Sequence, residues 1–201
     1  MDTQLTLVDY AAPFPEREAD SVLTFSRDSL LDSTLSLQGT NSVVYTIQTT
    51  PATELTTIRR YVPGSVEDPF VVVKIERNDF LSDQVTFGDL PRMKTNKWLK
   101  KRSFCDPRAC DVEGAPRYVW KPTNAREIAL YHDVSSLSSL IPIAWFRSSF
   151  GTGEPATLSL QPETRDIQDA VLASLIIVEQ RYRVKDKRAN VAASGRGIPS
   201  V

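Results

Sequence analysis

What this chain of 201 residues lacks narrows its chemistry before any motif is read. It has a single histidine, His132, so a multi-histidine metal centre has no second ligand of that kind, and a Ser-His-Asp arrangement would have to use this one residue. Its two cysteines, Cys105 and Cys110, are too few for the disulfide framework of a small secreted domain, and two free thiols are expected. No apolar run approaches the 18 or so residues of a membrane-spanning helix. Charge of one sign is missing too: Lys+Arg 24 against Asp+Glu 25 leaves a net charge of -1, so no overall field favours nucleic acid, which is not expected as a partner. The opening Met-Asp-Thr-Gln has neither a basic nor an apolar leader character, and an intracellular, cytoplasmic setting is expected. Gly151-x-Gly153 lacks the third glycine of a dinucleotide fingerprint and precedes a strand rather than a helix, so it reads as a turn. No cofactor is expected.

What is present is organised around a stretch near the end, Asp166 to Arg183. From Ala170 to Val178 only Ser174 is polar, so a helix here is apolar on every side and has to be enclosed. Val171, Leu172, Leu175, Ile176 and Val178 are its expected core residues. Thr164 or Asp166 suits its cap, Asp169 suits the positive end of its dipole, and Arg181 and Arg183 suit its far end.

The cover is expected to come from strands. Alternating or β-rich runs appear at Val22–Phe25, Thr34–Leu37, Val43–Gln48, Leu55–Tyr61, Phe70–Glu76, Val85–Phe87, Arg117–Lys121 (stopped by Pro122), Glu127–Tyr131, Ile141–Arg147 and Ala156–Leu160. Gly39-Thr40-Asn41 can close a hairpin, because glycine reaches positive φ without steric cost. Tyr45, Trp120, Trp145 and Phe146 each fall in such a run and read as core aromatics. The fold class is mainly β: an antiparallel β-barrel or strongly curved sheet of about ten strands round one C-terminal apolar helix. Residues 1–20 are expected to form a disordered arm, 21–183 one domain with its helix at 166–183, and 184–201 a disordered tail of basic and small residues.

Several of these segments also carry a resemblance. Trp98-Leu99-Lys100, Arg102-Ser103-Phe104, Tyr118-Val119-Trp120-Lys121, Leu130-Tyr131, Ile143-Ala144-Trp145-Phe146-Arg147 and the closing Asp-Ala-Val-Leu-Ala-Ser-Leu-Ile-Ile-Val-Glu-Gln-Arg resemble a domain family of unknown function abundant in fungi, especially mushroom-forming ones. The resemblance runs from about Leu23 to Arg183, and neither of its most telling motifs is catalytic. The layout also resembles the tubby C-terminal and LURP-one-related fold, in which a barrel encloses a terminal apolar helix. That resemblance implies a role at phosphoinositide or phospholipid surfaces.

Among candidate sites, Arg92, Lys94, Lys97, Lys100, Lys101 and Arg102 form a basic cluster with no acid inside it and with Trp98 at its centre. Phosphates on a lipid headgroup or a nucleic-acid backbone suit such a patch, since Lys and Arg supply charge and donors and an aromatic can sit at an interface or stack. The simpler reading packs Trp98 inside and leaves the bases as a solvated rim. A cysteine nucleophile would need Cys105 or Cys110 beside His132, and Cys105, Cys110 and His132 match no strong zinc spacing, so no metal is expected. The carboxylate pairs Asp166 with Asp169 and Glu127 with Asp133 are explained by capping and solvation. The functional expectation is a non-enzymatic binding or scaffold domain. The alternative is a peripheral module on anionic phospholipid through the basic cluster, and a cysteine-dependent enzyme comes third.

Overall fold

The computed structural model describes residues 18–27, 29–62, 64, 68–78, 82–101, 110–112, 118–124, 126–132, 141–149 and 153–194, with the backbone alone described at 100–101, 110–112 and 183–194. The β-rich runs become short strands, several of which alternate buried and more exposed residues. Seven precede the midpoint of the chain: β1 (Ser21–Phe25), β2 (Ser33–Leu37), β3 (Val43–Thr50), β4 (Leu55–Arg60), β5 (Phe70–Glu76), β6 (Gln84–Phe87) and β7 (Met93–Lys94). A one-turn helix, α1 (Thr95–Trp98), leads into β8 (Leu99–Lys101), β9 (Cys110–Val112), β10 (Tyr118–Asn124), β11 (Glu127–His132), β12 (Ala144–Arg147) and β13 (Thr157–Leu160). A 3-10 turn over Pro162–Ile167 opens the long helix α2, Gln168–Ser194.

Among the described residues thirteen strands form one antiparallel sheet in the order β7-β6-β5-β4-β3-β2-β1-β13-β12-β11-β10-β9-β8. Chain neighbours pair throughout, and β1 pairs with β13 through Ser21–Leu160 to Thr24–Thr157. The order is therefore a ring with one break, between β7 and β8. Those two strands are joined by α1, and a helical turn offers its hydrogen bonds to itself rather than to a ladder. The barrel half of the expectation is thus corrected to an open sheet, and the strands outnumber the ten or so expected because β7, β8 and β9 are too short to show a period.

The sheet is strongly curved, as the helix shows. Val171, Leu172, Leu175, Ile176 and Val178 are all at most 2% exposed, and Ala173, Ser174 and Ile177 between them are buried as well. Eight consecutive buried residues cover more than two turns, so every side of α2 is enclosed, which a flat sheet cannot do. Strands from both arms meet it. Tyr45 on β3 donates its hydroxyl to Asp169 at 2.8 Å, Arg60 on β4 reaches the same carboxylate at 3.1 Å, and Trp120 on β10 donates its indole N–H to Ser174 at 2.9 Å. Ser174, the lone polar residue of the apolar run, in turn donates to the Val171 carbonyl at 2.9 Å.

Four local expectations differ from the structure. The helix passes Arg183 and continues to Ser194, so Arg181 lies mid-helix, and its last turn carries no base. Residues 184–194, expected in the tail, are helical; 195–201 and 1–17 lie outside the described residues. Thr164 donates to the Gln161 carbonyl at 2.7 Å, inside the 3-10 turn, instead of capping α2. Pro122 sits within β10 rather than ending it: β9 stops opposite Trp120, so no ladder from that side needs the missing N–H, and the β11 register shifts between Pro122 and Asn124. Of the four aromatics, Tyr45, Trp120 and Phe146 are in the core, with Phe146 edge-on to Phe25 at 5.7 Å. Trp145 is not: the period of two that turns Phe146 inward turns Trp145 outward, onto a small outer cluster of Val119, Ala129 and Tyr131.

Candidate functional site

The break between β7 and β8 coincides with the basic cluster, and the chain there alternates between facing the core and facing water. Gly88 adopts a positive φ of 49° in the turn after β6, which lifts Leu90 into solvent at 60% exposed. Arg92 follows and pairs its guanidinium with Glu76 on β5. Lys94 is exposed on β7, and α1 then buries Thr95 and Trp98 while leaving Lys97 exposed. Trp98 is 5% exposed and stands edge-on to Phe87 of β6 with ring centroids 4.9 Å apart. It closes the core beneath the break. Lys100 and Lys101 lie on β8 in register with Asp111 and Cys110, while Arg102 lies outside the described residues.

The helix braces the same place from within. Arg181 donates to the Thr95 hydroxyl at 3.2 Å, and Glu179, two residues earlier, is buried. The structure therefore leaves Leu90, Lys94 and Lys97 exposed along the segment before the break, takes Arg92 into an ion pair, and assigns Trp98 to packing. This segment presents two exposed ammonium groups and one exposed apolar side chain to solvent.

The other candidates are dispersed. His132 ends β11 with its ring 5.0 Å from that of Tyr118, whose phenol pKa is raised by burial. Cys110 lies on β9, on the far side of β10 from His132, which holds the two backbones about 10 Å apart at ordinary strand spacing. Cys105 and Asp133 lie outside the described residues. Glu127 accepts from Thr123 at 2.8 Å and pairs with Arg147 at 3.2 Å. Among the described residues no group of three or more His, Cys, Asp or Glu side chains is placed to hold a metal ion, and no helix is long and apolar enough to cross a membrane.

Comparison with protein families gives a match over most of the chain. The model of the family described as "Family of unknown function (DUF6593)" matches residues 28–184. The chain belongs to DUF6593. The DUF6593 match takes in twelve of the thirteen strands and the enclosed part of α2; only β1 precedes it. No curated protein and no solved structure matches the chain.

Sequence reading missed two features of this DUF6593 chain. One is the Tyr45–Asp169–Arg60 group, where burial and the adjacent Asp169 carboxylate push the Tyr45 phenol pKa far up. The other is the exposed Leu90. Only Asp169 had a local signal, its place in the first helical turn. The partners come from strands more than a hundred residues away.

Proposed function

We propose that the chain is a non-enzymatic, intracellular binding or scaffold domain that works from its outer surface. The observation that supports this is the filled interior: Leu172, Ala173, Leu175, Ile176 and Val178 are each at most 1% exposed, so the space where a barrel-like fold could hold a ligand is occupied by its own helix. A thermal-shift series with apolar probes (a fatty acid, a sterol and a fluorescent apolar dye) tests it. The melting temperature is expected to stay unchanged with all three. A saturable upward shift with any of them shows an interior site and overturns the reading.

A second reading, a peripheral module on anionic phospholipid, draws on the exposed Leu90, Lys94 and Lys97 and on the likeness of layout to tubby C-terminal and LURP-one-related folds. Each base near an anionic surface contributes about 1 kcal/mol, so Lys94→Glu with Lys97→Glu should abolish sedimentation with phosphatidylserine vesicles. Equal sedimentation with neutral and anionic vesicles, or none with either, removes this reading. The cysteine-dependent enzyme has no observation in its favour. It would need an activity lost in Cys105→Ser, Cys110→Ser or His132→Ala.

A further inference from the structure

The outer face of β2, β3 and β4 carries a polar concavity that neither the basic rim nor the helix explains. Its volume is about 380 Å³, within the range of small-ligand pockets. The floor follows from register: Thr34 lies opposite Thr46, and Thr46 opposite Arg59, so one residue from each strand faces outward in a row. Gln48 and Tyr61 flank that row, and the turn between β1 and β2 supplies the lip with Ser26, Arg27 and Asp32. The lip is built rather than loose. Thr34 N–H donates to the Ser26 hydroxyl at 2.9 Å, Arg27 N–H to the buried Ser33 hydroxyl at 3.3 Å, and the Arg27 guanidinium to Asp32 at 3.0 Å.

Counted over the described residues, the charge balance within this concavity is positive. Among the described residues Asp32 is its single acid and is taken up by Arg27, whereas Arg59 bonds there only to the neutral Gln48 amide oxygen, at 3.2 Å. A guanidinium has five N–H donors in a planar fork, so most of those on Arg59 remain open toward the cleft. Among the described residues the hydroxyls of Thr34, Thr46 and Tyr61 make no side-chain hydrogen bond either, and all three line the same space. Guanidinium donors beside neutral hydroxyls suit an oxyanion with several acceptor oxygens, carried on a small hydroxylated body. We propose that this concavity is a binding site for a small soluble phosphate monoester, with Arg59 as its principal anion contact and Arg27 at its edge. The site rests on the outer-surface reading of function, but its failure is separable from failure of that reading, which the apolar probes report.

The test is a titration of the full chain, followed by amide and arginine Nε–H NMR, with inorganic phosphate and with glycerol 3-phosphate. Saturable shifts are expected at Ser26, Arg27, Thr34, Thr46 and Arg59, tighter for glycerol 3-phosphate than for phosphate. Arg59→Gln should weaken binding roughly tenfold with an unchanged melting temperature, as loss of one charge-assisted contact implies. Absence of saturable shifts overturns the proposal. So do shifts that centre on Lys94 and Lys97 and survive Arg59→Gln, which would assign phosphate to the basic rim. A parallel arm uses vesicles containing phosphatidic acid: Arg59-dependent binding to these alone, with no response to the soluble probes, makes the ligand a membrane phosphate and likewise overturns it.

Discussion

The two arms of the sheet hold the same helix by different chemistry. On the β3–β4 side the tie is charged: Asp169 accepts from Tyr45 and pairs with Arg60, whose side chain is 37% exposed against 25% for the aspartate. On the β10 side it is neutral: Trp120 and Ser174 are both 0% exposed and bond at 2.9 Å. The split follows solvent access. Removing a charge from water costs several kcal/mol unless it is well paired, so an ion pair is tolerable at the open mouth, where Asp169 also meets the positive end of the helix dipole. Deep in the core only a neutral donor and acceptor can meet at low cost. The mouth tie sets where the helix enters; the buried tie sets how it is rotated.

The comparison can be broken most severely at the centre. Leu175→Asp puts an unpaired carboxylate where the parent side chain is 0% exposed. A loss beyond ~4 kcal/mol is expected, enough to abolish a cooperative thermal transition. A melting temperature close to the parent's would place the helix outside the sheet.

Next in size is Ser174→Ala, which leaves the Trp120 indole N–H buried without its acceptor. The cost should be about 1–3 kcal/mol by urea denaturation, and Ser174→Thr, which keeps a hydroxyl, should behave differently from Ser174→Val. Equal losses in Thr and Val would show that volume, not the hydrogen bond, matters there.

Tyr45→Phe should be milder, roughly 0.5–1.5 kcal/mol near neutral pH, because Asp169 keeps Arg60. Its sharper signature is in alkali. Burial first, then the Asp169 charge, raise the folded phenol's pKa above the ordinary 10.0. The unfolded chain therefore releases that proton first, so this contribution is fully present below about pH 10 and is lost as pH rises beyond it. The fall in stability above pH 10 should be shallower in Tyr45→Phe than in the parent. Parallel curves would mean that Tyr45 ionises as freely folded as unfolded.

Much of the architecture was legible because its signals are local. Val171 to Val178 announced an enclosed helix by having no polar face, and the strand runs announced themselves by a period of two. The helix end was not legible: the charged sequence Lys-Asp-Lys-Arg at 185–188 suits a helix or an open tail equally, and propensity alone does not mark where such a helix stops. The basic cluster was visible as composition. Its division into a paired Arg92, a buried Trp98 and exposed Lys94 and Lys97 was not, since Glu76 and Phe87 reach it from other strands.

By itself, then, the sequence determined the element types and the need for a cover: periodicity and apolarity are properties of a few neighbouring residues and survive any rearrangement of the rest. Only the tertiary structure decided that the ring of strands breaks between β7 and β8, that Trp145 faces outward while Phe146 faces in, and that Arg59 stands over a row of threonines. Each of these depends on strand register and sheet curvature, which are set by the summed packing of residues far apart in the chain and leave no trace in any short stretch of it.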